Sequence, residues 1–498
     1  MPYKGLNRPH GPAPARPPPR RGLHARGQHI RPGARCSGPG REEGRGHPGA
    51  PEVLREVRFQ GPGLLDNGLP DRQGRGLPDR EELLRALDGV LDRYFGRIVE
   101  LAEEFISIPT VNPPGLNYEQ LAELASDVME GLGLEVAVYE APYRPAREGR
   151  GTSRRLNVVG RLALGPGGRS FHLHGHYDVV PAGEDWTKEP FRPEVEDGKL
   201  YGRGASDMKA ALAASIYAPI LAKEVAYEMD MRLAGEVLVS ATPDEETGGQ
   251  AGAGYLTEEG IIRGVDCTVV PEPTSLTYIW HVHKGCLWLK ITVRGREAHG
   301  SIPDKGLNAF VKMTELALRL AKHDEDLRRK VSSTPAYPEG AERASLALGG
   351  MCGSGGAVNV VPGLAWFTLD RRVLPEESMG EAEEAIMAVV RAFEEDNPGI
   401  GVEVEEILRI EPSGLPPDHE LVRMIEEALS DVLGLRGQPA LCPGFLNTRY
   451  FLAKGMPAVA WGPGELEQAH APDEHIGLGR LRDWLKALTY LVLEALRP

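Results

Sequence analysis

Short apolar strand patterns alternate with amphipathic helix patterns along the chain from Glu81 onward, and this alternation constrains the fold more than any other feature. The segment EELLRALDGVLDRYFGRIVELAEEFISI, which starts at Glu81, spaces its apolar residues by three or four positions, as a helix does. The segments EVAVYEA, LNVVGRLAL, SFHLHGHYDVV and CTVVPEP are short and largely apolar, as strands are. Strand patterns that alternate with helix patterns predict an α/β fold, in which helices cover both faces of a sheet.

The pattern changes near His283. Between residues 283 and 411, the strand patterns CLWLKITVRG, AWFTLDRRVL and GVEVEEILRI occur together with two long helix patterns. This series predicts a small α+β domain, residues 283–411, inserted into a larger one. The larger domain is then built from residues 81–282 and 412–498.

Residues 1–80 differ in composition from the rest, because they are crowded with Pro, Gly and Arg and carry 15 Lys and Arg against 7 Asp and Glu. Such a segment has too few large apolar residues to offset the entropy of ordering. It also lacks the continuous apolar core of a secretory signal. Three interpretations compete: a disordered basic tail, a targeting segment, or translated sequence upstream of the true start. We favour the last, because the folded pattern begins abruptly afterwards, and we expect a low-complexity segment outside the mature fold.

Composition and charge argue against several classes of protein. A formal net charge of −15 argues against a nucleic-acid partner. The absence of any run of about 18 apolar residues argues against a membrane-spanning helix. The five cysteines are odd in number and form no CxxC pair, which argues against a disulfide framework and against a thiolate-bound zinc, and favours the cytoplasm. Any metal ion should therefore be bound by histidine and carboxylate side chains.

Side chains of metal-ligand type come at the end of one predicted strand. In HLHGHYDVVP, His172, His174, His176 and Asp178 alternate, so a strand places them on one face. Binding sites of open α/β sheets lie at the carboxyl ends of strands. Spacing alone does not choose among the three histidines. An aspartate two residues from a histidine is well placed to accept its second ring N–H.

Further acids and histidines follow other predicted strands. Adjacent buried carboxylates repel each other, so they require a cation or a proton. Taken singly, these residues also have structural interpretations, such as a helix N-cap for the first aspartate or a solvated acidic turn. Together with the histidine strand they form a ligand set without thiolates, which suits Zn²⁺, Co²⁺ or Mn²⁺. The residues are Asp207 in LYGRGASDMK, Asp244, Glu245 and Glu246 in SATPDEETGG, Glu272 in VVPEPTS, and His470 and His475 in EQAHAPDEHIGL.

From about residue 83 to the end, the chain resembles the M20 family of metallohydrolases, most closely its acetylornithine deacetylase and succinyl-diaminopimelate desuccinylase branch. The matching segments are GHYDVVP, GRGASDMKAALAA, TPDEETGG, PEPTS, KGCLWLKITVRGREAHGSIPDKGLNA, NVVPG, DRRVLP and AHAPDEHI, in that order. Eight ordered motifs are far more specific than any single one. The resemblance implies a zinc-hydrolase-type mixed sheet flanked by helices, with an inserted ferredoxin-like domain for dimerisation and active-site closure.

The resemblance also implies a role for each matching residue in the larger domain. Glu245 acts as general base and acid, and Asp178 orients the histidine ligand of the first metal. Relatives often have a cis peptide bond after the bridging aspartate, which here would be Asp207–Met208. The metal ligands are His176 and Glu272 on one ion, Glu246 and His470 on the other, and Asp207 as the bridge.

In the inserted domain, the resemblance singles out three more residues. His299 in GREAHGS matches a histidine that reaches into the partner subunit's active site, which implies a homodimer. Asn359 in NVVPG and Arg372 in DRRVLP match groups that bind the substrate carboxylate, while a surface ion pair is the alternative for Arg372. Arg371 should face the other way, because successive side chains of a strand alternate.

Four residues near the implied site do not follow the family pattern. His172, His174 and His475 do not match ligand positions and are interpreted as structural or solvent-facing. Asn447 in PGFLNTRYF stands where relatives often carry an aspartate. This loop lies near the substrate in relatives, so Asn447 leaves the preferred acyl group or side chain open.

The implied function is hydrolysis of the amide bond of an N-acyl amino acid by a hydroxide that bridges two divalent ions, Zn²⁺ or alternatively Co²⁺. In this scheme Glu245 takes the proton, His299 donates to the oxyanion and Arg372 holds the free carboxylate. The alternative within the family is a carboxypeptidase or dipeptidase, whose short peptide substrates also have a free carboxylate. A non-catalytic binding protein would lack ligands, and the co-catalytic zinc aminopeptidases generally lack such an inserted domain.

Overall fold

The structure of the protein is a computed structural model that describes residues 79–142 and 153–498. The interpretations of residues 1–80 lie outside the described residues, except that the first helix begins at Arg80. The helices are α1 (Arg80–Ser107), α2 (Tyr118–Gly131), α3 (Lys209–Glu228), α4 (Tyr255–Glu258), α5 (Ala309–Leu327), α6 (Met379–Asp396), α7 (Glu420–Leu433), α8 (Thr448–Leu452) and α9 (Leu478–Ala495).

Short and long strands are distributed along the whole described chain. The strands are β1 (Glu135–Ala141), β2 (Arg155–Gly165), β3 (Arg169–His176), β4 (Glu194–Glu196), β5 (Lys199–Tyr201), β6 (Gly235–Thr242), β7 (Cys267–Val270), β8 (Tyr278–His283), β9 (Gly285–Arg294), β10 (Ala298–His299), β11 (Ser345–Ser354), β12 (Val360–Val361), β13 (Leu364–Val373), β14 (Gly401–Ile410), β15 (Ser413–Gly414), β16 (Gln438–Cys442), β17 (Ala458–Ala460) and β18 (His475–Gly477).

The larger sheet mixes parallel and antiparallel strands. Among the described residues its order is β1-β2-β6-β3-β7-β17-β8-β15, and β16 also pairs with β8. β3 runs parallel to both of its neighbours, β6 and β7, whereas β1, β2 and β15 pair in antiparallel fashion. The mixed sheet confirms the predicted α/β class. It also brings the carboxyl ends of β6, β3 and β7 to one edge.

Helices cover both faces of this sheet. On one face, α1, α2, α3, α7 and α9 share a large buried cluster, while α4 and α8 contribute to a smaller cluster on the other. Successive side chains of β2 point to opposite faces of the sheet, since Val158 belongs to the first cluster and Val159 to the second. The small alanine side chains of α3 allow α1 and α9 to pack closely against it. Within residues 79–142 and 153–498, no helix combines the length and hydropathy needed to cross a membrane.

The smaller sheet has the order β11-β13-β9-β14 in the described part of the chain, with every neighbouring pair antiparallel. Along the chain, β9, α5, β11, β13, α6 and β14 follow one another, which is the β-α-β-β-α-β order of a ferredoxin-like unit. One face of β9, with Leu287, Leu289, Ile291 and Val293, packs against α5 and α6 in a hydrophobic cluster of its own. The sheet with two helices that the sequence predicts between residues 283 and 411 is therefore present.

The turn after β6 carries three adjacent acids, and the first of them fixes its shape. Asp244 has a left-handed backbone conformation with φ of 65°. Its carboxylate accepts hydrogen bonds from Arg155 Nε at 2.8 Å and from the Tyr118 hydroxyl at 2.9 Å. The side chains of Arg155 and Asp244 are only 1% and 6% exposed, so this ion pair is shielded from water. A buried ion pair between β2 and the turn therefore holds the two acids that follow.

We expect Arg155→Met to lower the free energy of unfolding by about 3–5 kcal/mol, because it leaves the Asp244 carboxylate buried and without its cation. Urea unfolding of the metal-free protein measures the change. Arg154→Met is the matched control, since the ion pair of Arg154 with Glu140 is 48% and 38% exposed. The free energy of unfolding of Arg154→Met should fall by less than about 1 kcal/mol. Equal losses in the two variants would contradict the assignment.

Candidate metal centre

Histidine and acidic side chains converge at the edge where β6, β3 and β7 end. His176 is the last residue of β3, Glu246 lies in the turn after β6, and Glu272 follows β7. Parallel strands bring these three positions to one edge of the sheet. Asp207 comes just before α3, and His470 lies in the loop between β17 and β18. The structure thus brings all five predicted ligands together.

The carboxylate of Asp207 lies between two histidines. Its Oδ1 is 3.3 Å from His176 Nε2, and its Oδ2 is 3.5 Å from His470 Nε2. His470 Nε2 is also 3.1 Å from Glu246 Oε2. The potential ligand atoms form two groups, each within 4.8 Å: His176, Asp207 and Glu272, and Asp207, Glu246 and His470. Asp207 belongs to both groups, as a bridging ligand would.

Asp207 does not cap the helix that follows it. The N-cap of α3 is Met208, and no side chain caps the first turn. The peptide bond Asp207–Met208 is cis, as the family resemblance implies. The carboxylate of Asp207 is therefore directed to the two histidines and not to the amides of α3.

Close packing of acids perturbs their ionisation. Burial raises the pKa of Glu272 well above its ordinary value, and the nearby carboxylates of Asp207 and Glu245 add to the rise. Burial likewise raises the pKa of Glu245 to about 8, although His176 opposes the rise. Burial also acts on Asp207, but hydrogen bonds from His176 and His470 outweigh it and lower its pKa. Carboxylates this close stay ionised together only when a cation balances them.

One carboxylate oxygen of this site tests the fit of a metal ion. Oε1 of Glu272 is buried and has no hydrogen-bond partner among the described residues. A buried acceptor without a partner is unfavourable, and a cation would satisfy it. The donor set of imidazole nitrogens and carboxylate oxygens suits borderline divalent ions such as Zn²⁺, Co²⁺ or Mn²⁺. The residues therefore fit two divalent cations that share one carboxylate.

Asp178 connects the histidine strand with the acidic turn. His176 Nδ1 lies 3.1 Å from the backbone oxygen and 3.4 Å from the carboxylate of Asp178. The same carboxylate accepts the backbone N–H of Glu245 at 3.1 Å and that of Glu246 at 3.2 Å. When Nδ1 donates to Asp178, Nε2 of His176 is left as the coordinating nitrogen. One buried aspartate therefore orients the His176 ring and fixes the turn that carries Glu245 and Glu246.

The other histidines of β3 are structural. His172 Nε2 and His174 Nδ1 each lie 2.8 Å from the Ser240 hydroxyl, and both rings are fully buried. Burial lowers the pKa of His172 to about 3. The alternative interpretation, that His172 and His174 face the solvent, is therefore wrong. Asn447 is also buried, with Nδ2 3.2 Å from His174 Nε2, and His475 is partly buried in β18.

His299 and Asn359 come together at a separate place. They lie on or beside the paired strands β10 and β12, where Gly300 N donates to Asn359 O at 2.7 Å. Both residues are exposed, and the His299 imidazole bonds to the Ser301 hydroxyl at 2.8 Å. In the part of the chain that the structure describes, neither makes a hydrogen bond or an ion pair with a predicted metal ligand.

The two neighbouring arginines of β13 face opposite ways. Arg371 is buried on the helix-covered side, where it donates to both oxygens of Glu377 at 2.8 Å. Arg372 lies on the open side, with Nε 2.9 Å from Asp370 Oδ1 and the guanidinium above the Phe445 ring. The alternation matches the prediction. The guanidinium of Arg372 pairs with Asp370, and among the described residues it forms no ion pair with a predicted ligand.

Sequence reasoning missed a buried ion pair beside the site. Arg203 Nη1 lies 2.6 Å from Glu474 Oε2, and the two side chains are 2% and 1% exposed. Arg203 precedes Asp207 by four residues, and Glu474 follows His470 by four. Opposite charges at matched spacing from two predicted ligands are the signal that could have revealed the pair.

Comparisons with known proteins identify the family of the chain. The model of peptidase family M20/M25/M40 matches residues 172–494. An acetylornithine deacetylase from Photorhabdus laumondii is 30% identical over 404 residues, which cover 79% of this chain and 96% of the relative.

Solved structures with similar folds include human carnosine dipeptidase 1, with a TM-score of 0.65, 18% identity and coverage of 83% of this chain and 98% of that one. The M20 family metallo-carboxypeptidase Sso-CP2 from Sulfolobus solfataricus has a TM-score of 0.63 and 18% identity, and the match covers 80% and 99% of the two chains. At this identity, they show a shared fold. The family match and the deacetylase relative show that the chain is a hydrolase that belongs to peptidase family M20/M25/M40.

Proposed function

We propose that the protein is a two-metal hydrolase that cleaves the amide bond of an N-acyl amino acid, of the acetylornithine deacetylase or succinyl-diaminopimelate desuccinylase type. The observation that carries this proposal is the shared carboxylate of Asp207, which belongs to two ligand groups at once. The acetylornithine deacetylase relative, matched over 96% of its length, supports a deacylase.

Glu245 is the residue best placed to move a proton. It belongs to neither ligand group, yet its backbone is fixed by Asp178, which also orients His176. When bound, the cations would supply a water nucleophile that is active near neutral pH and would polarise the scissile carbonyl. Glu245 accepts the proton from that water and then delivers it to the leaving amine.

The free carboxylate of the substrate needs a cationic partner, and Arg372 with Asn359 is our proposal. Arg372 is 25% exposed and forms its ion pair with Asp370 on the open face of the smaller sheet. A carboxylate that binds here replaces Asp370 or shares the guanidinium with it, because a guanidinium presents several N–H groups in a planar fork. A carboxypeptidase or dipeptidase is the second candidate, since its peptide substrates offer the same carboxylate.

We propose that residues 283–411 form a dimerisation and closing domain between the two parts of a catalytic domain, residues 81–282 and 412–498. In α5, Phe310, Val311 and Leu318 are 50%, 56% and 67% exposed. The neighbouring edge strand β11 has no second partner strand in the described residues. An exposed apolar helix face next to an open sheet edge favours association with a second copy. Such a dimer allows His299 to complete the partner subunit's site.

A cytoplasmic location accords with the state of the cysteines. Cys267, Cys286 and Cys442 are buried free thiols, and the described residues contain no disulfide. Thiols persist in reducing compartments. We propose the cytoplasm on this basis.

A substrate panel tests the proposed function. The metal-free protein, reconstituted with Zn²⁺ or Co²⁺, should hydrolyse N-acetylornithine or succinyl-diaminopimelate faster than simple dipeptides, and a chelator should abolish the activity. Release of the free amine measures the rate. Hydrolysis of dipeptides alone would favour the peptidase, and activity that survives complete metal removal would overturn the metal mechanism.

Glu245→Gln should retain both metal ions but lose turnover by about 10²–10⁴-fold, because it removes a proton carrier and no ligand. Metal content and kcat are measured on the same preparation. Glu246→Gln is the matched control and should lose metal, since Glu246 belongs to a ligand group. Metal loss in Glu245→Gln with retention in Glu246→Gln would mean that the two roles are exchanged.

His299→Ala should lower kcat by about 10²-fold or more, as the loss of an oxyanion donor does. If His299 acts in the partner's site, a mixture of His299→Ala subunits and Glu245→Gln subunits should recover activity. Half of the dimers formed at random are hybrids, and each hybrid has one complete site out of two, so about a quarter of the wild-type activity should return. Adding Leu318→Asp to both chains should prevent dimerisation and this recovery. Failure of the mixed subunits to recover activity, while dimers form, would exclude a role in trans.

A further inference from the structure

Two of the five predicted ligands are not held by strand ends. Asp207 precedes α3, and His470 lies on the loop before β18 with a left-handed φ of 62°. The side chain of His470 is 50% exposed, whereas that of His176 is 1% exposed. Packing therefore restrains His470 much less than His176. The backbone of its loop must set its position.

Glu474 attaches to the segment that carries Asp207. Its Oε1 accepts the backbone N–H of Ser206 at 2.9 Å and that of Asp207 at 3.0 Å. Its own backbone oxygen accepts the N–H of Gly202 at 2.8 Å. One residue on the histidine loop thus binds the backbone at both ends of the segment from Gly202 to Asp207, at one end through its backbone oxygen and at the other through its carboxylate.

Arg203 makes the reciprocal attachment to the loop that carries His470. Its guanidinium donates to the backbone oxygens of His470 and Ala471, both at 3.3 Å, and to Ala182 O at 3.1 Å. The remaining bond is the ion pair with Glu474. Nη1 and Nη2 thus make four hydrogen bonds in the plane of the guanidinium, a geometry that a lysine ammonium does not reproduce.

The two attachments form a closed connection between the ligands. Glu474 holds the backbone of Asp207, Arg203 holds the backbone of His470, and the ion pair joins them. A buried ion pair contributes little net stability compared with apolar residues of the same size, but it fixes geometry. Here the fixed quantity is the separation of Asp207 from His470, whose side chains are 3.5 Å apart.

We propose that Arg203 and Glu474 are positioning residues that set the affinity of the metal subsite formed by Asp207, Glu246 and His470. The proposal rests on the two-metal centre of the proposed function. The other subsite shares Asp207, but its remaining ligands, His176 and Glu272, lie at the ends of adjacent strands, which the ion pair does not touch. Because two of the three ligands of the His470 subsite depend on the pair and only one of the three in the other subsite does, loss of the pair should weaken the His470 subsite far more than the other.

Metal titration of the metal-free full-length protein tests this without any substrate. Wild type should bind two equivalents of Zn²⁺ or Co²⁺. Arg203→Lys should bind one equivalent nearly as tightly as wild type and the second about 10–100-fold more weakly, the range typical of lost partners of metal ligands. Glu474→Gln should show a smaller loss of the same kind, because an amide oxygen can still accept the two backbone N–H groups.

Arg371→Lys is the matched control for the loss of a buried arginine pair. Arg371 is 1% exposed and pairs with Glu377 in the smaller sheet, away from the ligand groups. The Arg371→Lys protein should unfold more easily than wild type but bind both metal ions with wild-type affinity. Hydrogen exchange of the metal-free Arg203→Lys protein should be faster at the amides of Ser206 and Asp207 and unchanged in β3.

Three outcomes would overturn the proposal: unchanged affinity for both ions in Arg203→Lys, equal weakening of both ions, or the same weakening in Arg371→Lys. Absence of metal binding by the wild type would overturn it together with the metal centre. Two bound ions with no amidase activity would reject the proposed function alone, because the titration does not depend on the reaction.

Discussion

The arrangement of the site depends on one carboxylate that two histidines approach from opposite sides. Asp207 lies 3.3 Å from His176 and 3.5 Å from His470, and three glutamates crowd the same space. Such a concentration of acids is unfavourable unless cations are bound or protons are taken up. The sheet creates this concentration, because β6, β3 and β7 are parallel neighbours and deliver their following residues to a single edge. Carboxylates held this close at one edge of the sheet therefore need bound cations or protons to balance them.

Buried ion pairs hold the loops around this concentration of charge. Arg155 pairs with Asp244 behind the acidic turn, and Arg203 pairs with Glu474 behind the loops of two ligands. Arg203 and Glu474 bond to the backbone of two predicted ligands, whereas Arg155 bonds to the carboxylate of Asp244 and to backbone oxygens of Pro114 and Ser153. Loops lack the regular hydrogen bonds of strands, so their backbone polar groups need other partners when they are buried. The ion pairs supply these partners and so fix the loops.

The sequence was sufficient for the fold class and for the residues that meet at the site. Strand patterns are visible in local residues, and Glu245, Glu246 and Glu272 are candidates because they come shortly after such strands. Only the resemblance to the family separates Glu245 from Glu246. β11 had no recognisable pattern, since glycines interrupt its alternation. Spacing left His172, His174 and His176 undistinguished, because the choice depends on Ser240 and Asp207, which are distant in sequence. Partners separated by more than two hundred residues, such as Arg203 and Glu474, leave little local trace.

The smaller sheet presents a different problem from the metal site, because its candidate binding group is already paired. Arg372 donates to Asp370 while its guanidinium lies above Phe445, a residue of the loop that also carries Asn447. The guanidinium of Arg449 lies over the same ring, so the guanidinium groups of both arginines lie next to one phenylalanine. Under the proposed function, a substrate carboxylate bound here would meet two guanidinium groups and one competing carboxylate. Recognition would then depend on the placement of Phe445 and Arg449, as well as on the identity of Arg372.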